Sequence, residues 1–583
     1  MPTTRKSEAA RSSGAPIATA LRSAFARGYH KSDLRADLFA GVVVGIVALP
    51  LSMALAIAVG APPQHGLYTA LVAGAAVPLL GGCQFQVTGP TAAFIVILAP
   101  VVNQHGLSGL LTAGLLAGLM LVALGVARLG TLIQYIPHPV TTGFTTGIAI
   151  VIATLQIKDA LGLQLGVMPD HYVDKLAALW GARASANGWE FLVTALTLGL
   201  LLSMPRLTKK LPAPLLAISL VAALVALVQH FVPELSVATI GSRFHTTING
   251  VDVLGIPSLL PSPAWPWADG LSWALIRELL PAAFAIALLG AIESLLSAVI
   301  ADGMTGTKHD PNAELVGLGI GNILAPLFGG IAATGALART ATNIKSGARS
   351  PIAALIHSGV ILLSILLLGP LIAHVPMAAL AALLLLVAWN MSELHGFFGV
   401  IKVAPKSDVL VLLTCFGLTV LFDMVIAISV GFVLAAILFM RRMAELTESG
   451  LVLADPTGAV DVLLPDRVQL YEINGPLFFG AAQNAVAALH AARTDVAGGV
   501  MILHLGRVSV IDSSGLVALE NAIAGLMRHN QDVVLSGPLP RPRKVFDKAR
   551  LQDRYPRLRL ANTLEEGIRI AGELAQRADA PAA

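Results

Sequence analysis

Thr88-Gly89-Pro90-Thr91-Ala92 and Thr334-Gly335-Ala336-Leu337-Ala338 share the frame Thr-Gly-x-x-Ala across a separation of 246 positions, and each opens an apolar run too short to cross a bilayer. The first run, 89–102, would be about 21 Å long as a helix, against about 30 Å of hydrocarbon. The second, 335–346, is shorter still. Matching interrupted segments in two halves of an apolar chain point to a binding site near the membrane midplane. A helix N-terminus carries unpaired N–H groups and about half a positive charge, so two that converge form a dehydrated site for an anion. Pro90 is expected in the first turn of its half-helix, where a missing N–H costs nothing. Thr88 and Thr91 add hydroxyl donors, and Gly89 and Gly335 let the backbone approach a ligand closely. Ala92, Ala336, Leu337 and Ala338 complete the candidate substrate-binding set. One Thr-Gly pair alone would read as an ordinary helix start after a loop; its duplication argues for a site.

Arg339 follows the second opening by one turn. A guanidinium at this depth is costly unless it is paired or faces a cavity. It would raise the site from about one positive charge to about two, which suits a dianion; the competing reading is a structural pair with Glu293 or Asp423. Lys345 and Arg349 mark the cytoplasmic or interfacial end of the segment. Glu293 lies in the middle of the apolar run 276–300, with Ser297 one turn on and on the same face. Taking a carboxylate out of water favours its protonated form, which makes Glu293 a natural proton carrier. With Ser297 and backbone carbonyls it could instead ligate Na⁺, and of the two coupling ions the proton is preferred. Pro50, followed by Ser52 and Met53, should kink the first span and turn freed backbone groups toward a cavity. Gly41 and Gly45 have the spacing of close helix packing. The run Gly317-x-Gly319-x-Gly321 lacks the strand-turn-helix setting of a dinucleotide loop.

The elements that must hold these residues follow from composition. The chain has 583 residues, 56% hydrophobic and 12% charged, with mean hydropathy +0.78, which excludes an ordinary soluble protein. Apolar runs at 38–59, 66–81, 89–102, 107–127, 139–156, 189–204, 213–231, 276–300, 313–329, 335–346, 350–373, 376–390, 408–423 and 425–440 predict an α-helical polytopic membrane protein of about fourteen spans. The two Thr-Gly-x-x-Ala openings fall in the third span of each half, and seven spans per half force an inverted repeat. Arg5, Lys6, Arg11, Arg22, Arg27, Lys31 and Arg35 before the first span, and Arg441 and Arg442 after the last, place both ends in the cytoplasm. The expected divisions are a cytoplasmic tail at 1–35, a transport domain at 36–443, a C-terminal domain at 455–577 and a disordered tail at 578–583. In the C-terminal domain, strand-like runs (Val468 to Ile473, Val500 to Leu505, Val533 to Ser536) alternate with helical ones (Ala481 to Arg493, Ser514 to His529, Leu564 to Gln576), giving a small α/β fold. No secretory signal is visible. Cys83 and Cys415 lie in apolar runs and support neither a disulfide framework nor a metal site. A net charge of +4 with basic residues at membrane flanks argues against nucleic acid as a partner. No hydrolytic triad, metal site or cofactor motif is present, so an enzyme is not expected.

Gly66-Leu67-Tyr68-Thr69-Ala70, Gly89-Pro90-Thr91-Ala92, Ile292-Glu293-Ser294-Leu295-Leu296, Asp302-Gly303-Met304-Thr305-Gly306 and Ala338-Arg339-Thr340-Ala341-Thr342-Asn343, together with the α/β segment, resemble the SulP family of anion transporters with a C-terminal STAS domain. Val387-Ala388-Trp389-Asn390-Met391-Ser392-Glu393, the run from Leu421 to Ser429 and Gly475-Pro476-Leu477-Phe478-Phe479 look most like its DauA-type C4-dicarboxylate transporters. The resemblance implies core and gate domains, elevator-like movement of the core, a homodimer, and residence in a bacterial inner membrane. It implies that spans one, three, eight and ten bring Pro50, Thr91, Glu293 and Arg339 together. Ala338 departs from the family, where many members have a Ser before the Arg. In the STAS-like segment Asp512-Ser513-Ser514 match a regulatory loop whose phosphorylated serine would be Ser514; the same residues also suit a plain helix cap. A cytoplasmic protein partner for this domain is a further expectation. The function implied is secondary active, proton-coupled uptake of C4-dicarboxylates such as succinate, fumarate or aspartate. A bicarbonate or sulfate transporter, coupled to Na⁺ or H⁺, is the alternative within the family, and an anion channel the alternative outside that class.

Overall fold

The computed structural model describes residues 17–133, 137–166, 168–207, 212–232, 237–248, 251–267, 270, 272–422, 424–445, 448–452, 464–478 and 499–579. Asp423, the expected helix at 481–493, residues 1–16 of the N-terminal tail and residues 580–583 lie outside these. The chain divides into two compact units, residues 1–432 and 433–583.

The first unit is mainly helical because its runs are apolar on all sides and backbone groups in hydrocarbon must be satisfied within the segment. Its helices include α1 (Lys31–Val59), α2 (Pro63–Leu80), α3 (Ile95–Val126), α4 (His138–Ala160), α5 (Gly188–Leu207), α6 (Ala213–Phe231), α7 (Trp273–Thr305), α8 (Pro311–Leu327), the short α9 (Leu337–Lys345), α10 (Ile352–Ile372), α11 (Met377–Met391) and α12 (Lys406–Leu421); α13 (Met424–Glu445) continues across the unit boundary. Gly106, at φ 66°, breaks α3 into two segments, so every one of the fourteen expected runs has its own helical segment. Among the described residues, eight helical stretches are long and apolar enough to cross a membrane. The nine-residue α9, about 14 Å long, is a half-span.

Two two-residue strands, β1 (Thr88–Gly89) and β2 (Thr334–Gly335), precede the half-helices and pair antiparallel, Thr88 opposite Gly335 and Gly89 opposite Thr334. Equivalent segments of the two halves thus meet head to tail, as an inverted repeat requires.

Glycines let the surrounding helices close around this crossing. A β-carbon on Gly41 would lie 2.7 Å from the Ile356 side chain, and one on Gly45 2.7 Å from Val360, so both positions press α1 against α10. Gly317, Gly319 and Gly321 of α8 meet Gly81, Val122 and Val77 in the same way, which makes that run a packing surface against α2 and α3. Pro50 stays inside a continuous α1.

The second unit is built on a five-stranded sheet of β3 (Glu448–Val452), β4 (Val468–Asn474), β5 (Val500–Arg507), β6 (Asp532–Ser536) and β7 (Leu558–Ala561), in that spatial order. The first pair is antiparallel and the rest parallel. β3 and β7 lie outside the expected strand runs, and β3 starts ahead of the expected domain boundary at 455. Buried residues of α14 (Ser513–Arg528) join one apolar cluster with strand residues such as Tyr471, Met501 and Leu535; α15 (Leu564–Asp579) joins another with Val468, Ile502 and Val534.

Gly41→Leu forces a side chain into Ala353 and Ile356 and should destabilise the membrane unit by about 1–3 kcal/mol, seen as a lower melting temperature of detergent-purified protein. Gly199→Leu, where a β-carbon meets nothing within 4 Å, should cause no loss.

Candidate functional site

The crossing corrects the expected helix starts. Thr88, Gly89 and Gly335 are extended and paired rather than helical, and the helices begin later: a 3-10 turn at Ala92–Phe94 leads into α3 with Thr91 as N-cap, and α9 starts at Leu337 with Ala336 as N-cap. Pro90 therefore precedes the cap instead of occupying the first turn. The physical reason is that an N–H or C=O at this depth has no water to bond, so the extended residues take partners from each other. The Ala336 N–H donates to the Val87 carbonyl (2.9 Å), and the Val87 N–H donates to Thr340 Oγ1 (3.1 Å). Thr334 Oγ1 donates to the Gly290 carbonyl of α7 (2.8 Å).

Arg339 is 2% exposed and lies behind this crossing. One guanidinium nitrogen donates to the Pro90 carbonyl, while Nε and Nη1 have no hydrogen-bond partner. A β-carbon on Gly89 would lie 2.6 Å from Nη1, so the glycine leaves room for the guanidinium. Half-buried Glu293 accepts a hydrogen bond from Thr91 Oγ1 (2.9 Å) and makes no ion pair with Arg339 within 4.0 Å. Leu337 and Ala338 are exposed at the rim, and the first N–H groups of α9 have no intrahelical acceptor. The arrangement offers an anion a buried guanidinium with free donors, a helix N-terminus and a carboxylate held by a hydroxyl.

Other expected site residues are placed elsewhere. Ser297 points its hydroxyl at Thr340 Oγ1 (3.2 Å), tying α7 to α9 rather than assisting Glu293. Pro50 and Met53 line an apolar cavity of about 510 Å³ between α1, α6 and α10, none of whose lining residues belongs to the crossing. Ser52 is fully buried, with its hydroxyl unbonded. Among the described residues no group of three His, Cys, Asp or Glu could hold a metal ion. In the second unit, Asp512 caps α14 by accepting the Gly515 N–H (2.6 Å), and Ser513 and Ser514 are exposed in its first turn.

The structure adds residues that sequence reasoning missed: Gln86, Ser294 and Glu314 are buried together within hydrogen-bonding distance, and Asn343 Nδ2 donates to the Phe85 carbonyl (2.9 Å). Glu314 carried a visible signal, a carboxylate inside the apolar run 313–329.

A family model described as the sulfate permease family matches residues 34–415, and one described as the STAS domain matches 459–567. The chain is 40% identical to YvdB of Bacillus subtilis (strain 168), a protein named for sulfate transport, over 90% of this chain and 95% of that protein. It is 30% identical to the bicarbonate transporter BicA of Synechocystis sp. (strain PCC 6803), over 89% of this chain and 91% of that protein. The solved transmembrane domain of a cyanobacterial BicA matches with a TM-score of 0.60 and 30% identity, covering 68% of this chain and 98% of its own. Murine Slc26a9, an anion transporter solved in the inward-facing state, shares the fold with a TM-score of 0.83 over 95% of this chain and 94% of its own, at 16% identity.

Arg339→Ala should weaken anion binding at least tenfold, since a charge-assisted contact in a buried site is removed. Binding is read by anion-dependent thermal stabilisation, and Arg339→Lys should recover only part of it because an ammonium does not reproduce the planar fork.

Proposed function

The chain belongs to the sulfate permease family and carries a C-terminal STAS domain, and from that premise we propose that it is a coupled transporter of a small inorganic oxyanion of the bicarbonate or sulfate class. The observation that carries this reading is the buried Arg339 guanidinium, with two nitrogens unbonded and no carboxylate paired to it among the described residues. A buried cation of this kind calls for a counterion. A compact oxyanion can accept from several guanidinium nitrogens and from the N–H groups that open α9 at once.

A C4-dicarboxylate carries its second charge several bonds away and would call for a second cation. Among the described residues 85–95, 290–297 and 330–340, Arg339 is the single Lys or Arg. The sulfate and bicarbonate names of the relatives also favour the inorganic oxyanion over the dicarboxylate reading suggested by the DauA-like segments. Glu293 is the coupling group in this proposal. Because Ser297 bonds Thr340, a proton on Glu293 is favoured over Na⁺ held between the two side chains.

The proposal further includes elevator-like movement of a core containing the crossing, a homodimer, residence in a bacterial inner membrane and cytoplasmic termini. For the STAS domain it includes regulation through Ser514. A phosphate there would sit at the N-terminus of α14, where the helix dipole favours negative charge.

Uptake of labelled bicarbonate and of labelled sulfate into proteoliposomes, each challenged with unlabelled bicarbonate, sulfate and succinate, tests the substrate. One inorganic oxyanion should be carried and should outcompete succinate; preferential succinate uptake would restore the dicarboxylate reading. Glu293→Gln should leave exchange of the anion measurable while abolishing its accumulation under an inward proton gradient. Accumulation that needs Na⁺ would refute the proton assignment, and unitary currents in planar bilayers would favour a channel.

A further inference from the structure

We infer that Glu314 and Gln86 together form a positioning device for the anion site, in which a buried carboxylate of one half of the chain holds the crossing strand of the other half in register. The inference rests on the anion-transport reading for its readout, and on geometry for its substance. Glu314 lies in the first turn of α8 and is 1% exposed. Its Oε2 accepts the N–H groups of Gly82 and Cys83, both at 2.9 Å, in the segment that leads from α2 to β1. Its Oε1 accepts from Gln86 Nε2 (2.7 Å) and from Ser294 Oγ (3.4 Å). Four donors thus converge on two oxygens, which fills the acceptor positions of a carboxylate.

Gln86 transmits this bracket to the site in two directions. Its amide occupies the space that a side chain on Gly335 would need, so it lies directly against β2. Its Nε2 also bonds Ser294 Oγ (2.6 Å), the residue next to Glu293 in α7. One carboxylate therefore fixes the approach to β1, the flank of β2 and the chain neighbour of Glu293.

The other half is braced reciprocally. From α2, His65 Nδ1 lies 2.5 Å from the Gly329 carbonyl, and Thr69 Oγ1 donates to the Ile331 carbonyl (3.0 Å), in the segment that leads to β2. The second helix of each half holds the crossing segment of its counterpart. Gln86 and Glu314 touch neither the guanidinium nor the rim in any hydrogen bond, so they act through what they position.

Glu314→Gln tests the device. A glutamine can still accept the Gly82 and Cys83 N–H groups, but its own amide donors then confront Gln86, which must turn over or move. The KM for the transported anion should rise about tenfold, the size expected for losing a hydrogen bond to a charged group. Maximal uptake should stay within about twofold and the melting temperature should be nearly unchanged. Adding Gln86→Glu to Glu314→Gln moves the carboxylate to the other side of the same hydrogen bond and should return KM to within about threefold of the parent.

An unchanged KM in Glu314→Gln, or a double variant no better than the single one, would overturn the inference. If Glu314→Gln does not yield folded protein, Gln86→Met, which keeps the bracket on Gly82 and Cys83, should raise KM by a similar factor; an unchanged KM there would equally overturn it. The parent protein is assayed first with bicarbonate, sulfate and succinate, and KM is taken with whichever it carries. A parent that prefers succinate thus counts against the oxyanion reading and leaves the test of Glu314 intact.

Discussion

Extended backbone at the depth of the hydrocarbon has no water to bond, and each unpaired N–H or C=O there costs several kcal/mol. The pairing of Thr88–Gly89 with Thr334–Gly335 meets that constraint for both halves at once. Much of what surrounds the site follows from it. The helices can start only after the strands, which puts their N-termini beside one another. Val87, Ala336 and Thr340 must then bond across the seam, and α7 and α9 are held by the hydroxyls of Thr334, Ser297 and Thr340.

The charges are disposed in keeping with this. Arg339 sits behind the strands with one bond to the Pro90 carbonyl, and Glu293 sits at the rim with one bond to Thr91. Had the two made a direct ion pair, the guanidinium would have little left to offer an anion. Their separation leaves the guanidinium nitrogens Nε and Nη1 without a hydrogen-bond partner.

The sequence was informative where length and hydropathy decide the outcome. All fourteen segments could be read from apolar runs, and the short runs marked the broken helices correctly. It misled where a local signal has two structural meanings. Thr-Gly before an apolar run suits a helix cap and an extended pair alike, so residue type does not separate a start at Gly89 from the observed start at Ala92, after Pro90. Ser297 shares a helical face with Glu293, but a face does not name a partner, and the Ser297 hydroxyl donates to Thr340 of α9. Glu314 shows the same limit more sharply. Two of its donors are backbone N–H groups of residues 231 and 232 positions away, and backbone groups leave no trace in residue type.

The two halves cross by a two-fold pairing, yet only one carries the charge. At the 246-residue offset that relates Thr88 to Thr334, the counterpart of Arg339 is Ala93. Ala93 is buried and carries no charge. The first half contributes the Thr91 hydroxyl, whereas the Glu293 carboxylate and the Arg339 guanidinium both come from the second. The backbone is built symmetrically about the crossing while the electrostatic field is not. On the coupled-carrier reading proposed above, forward and reverse half-cycles therefore have different barriers, and inverting the driving gradient does not yield mirror-image kinetics.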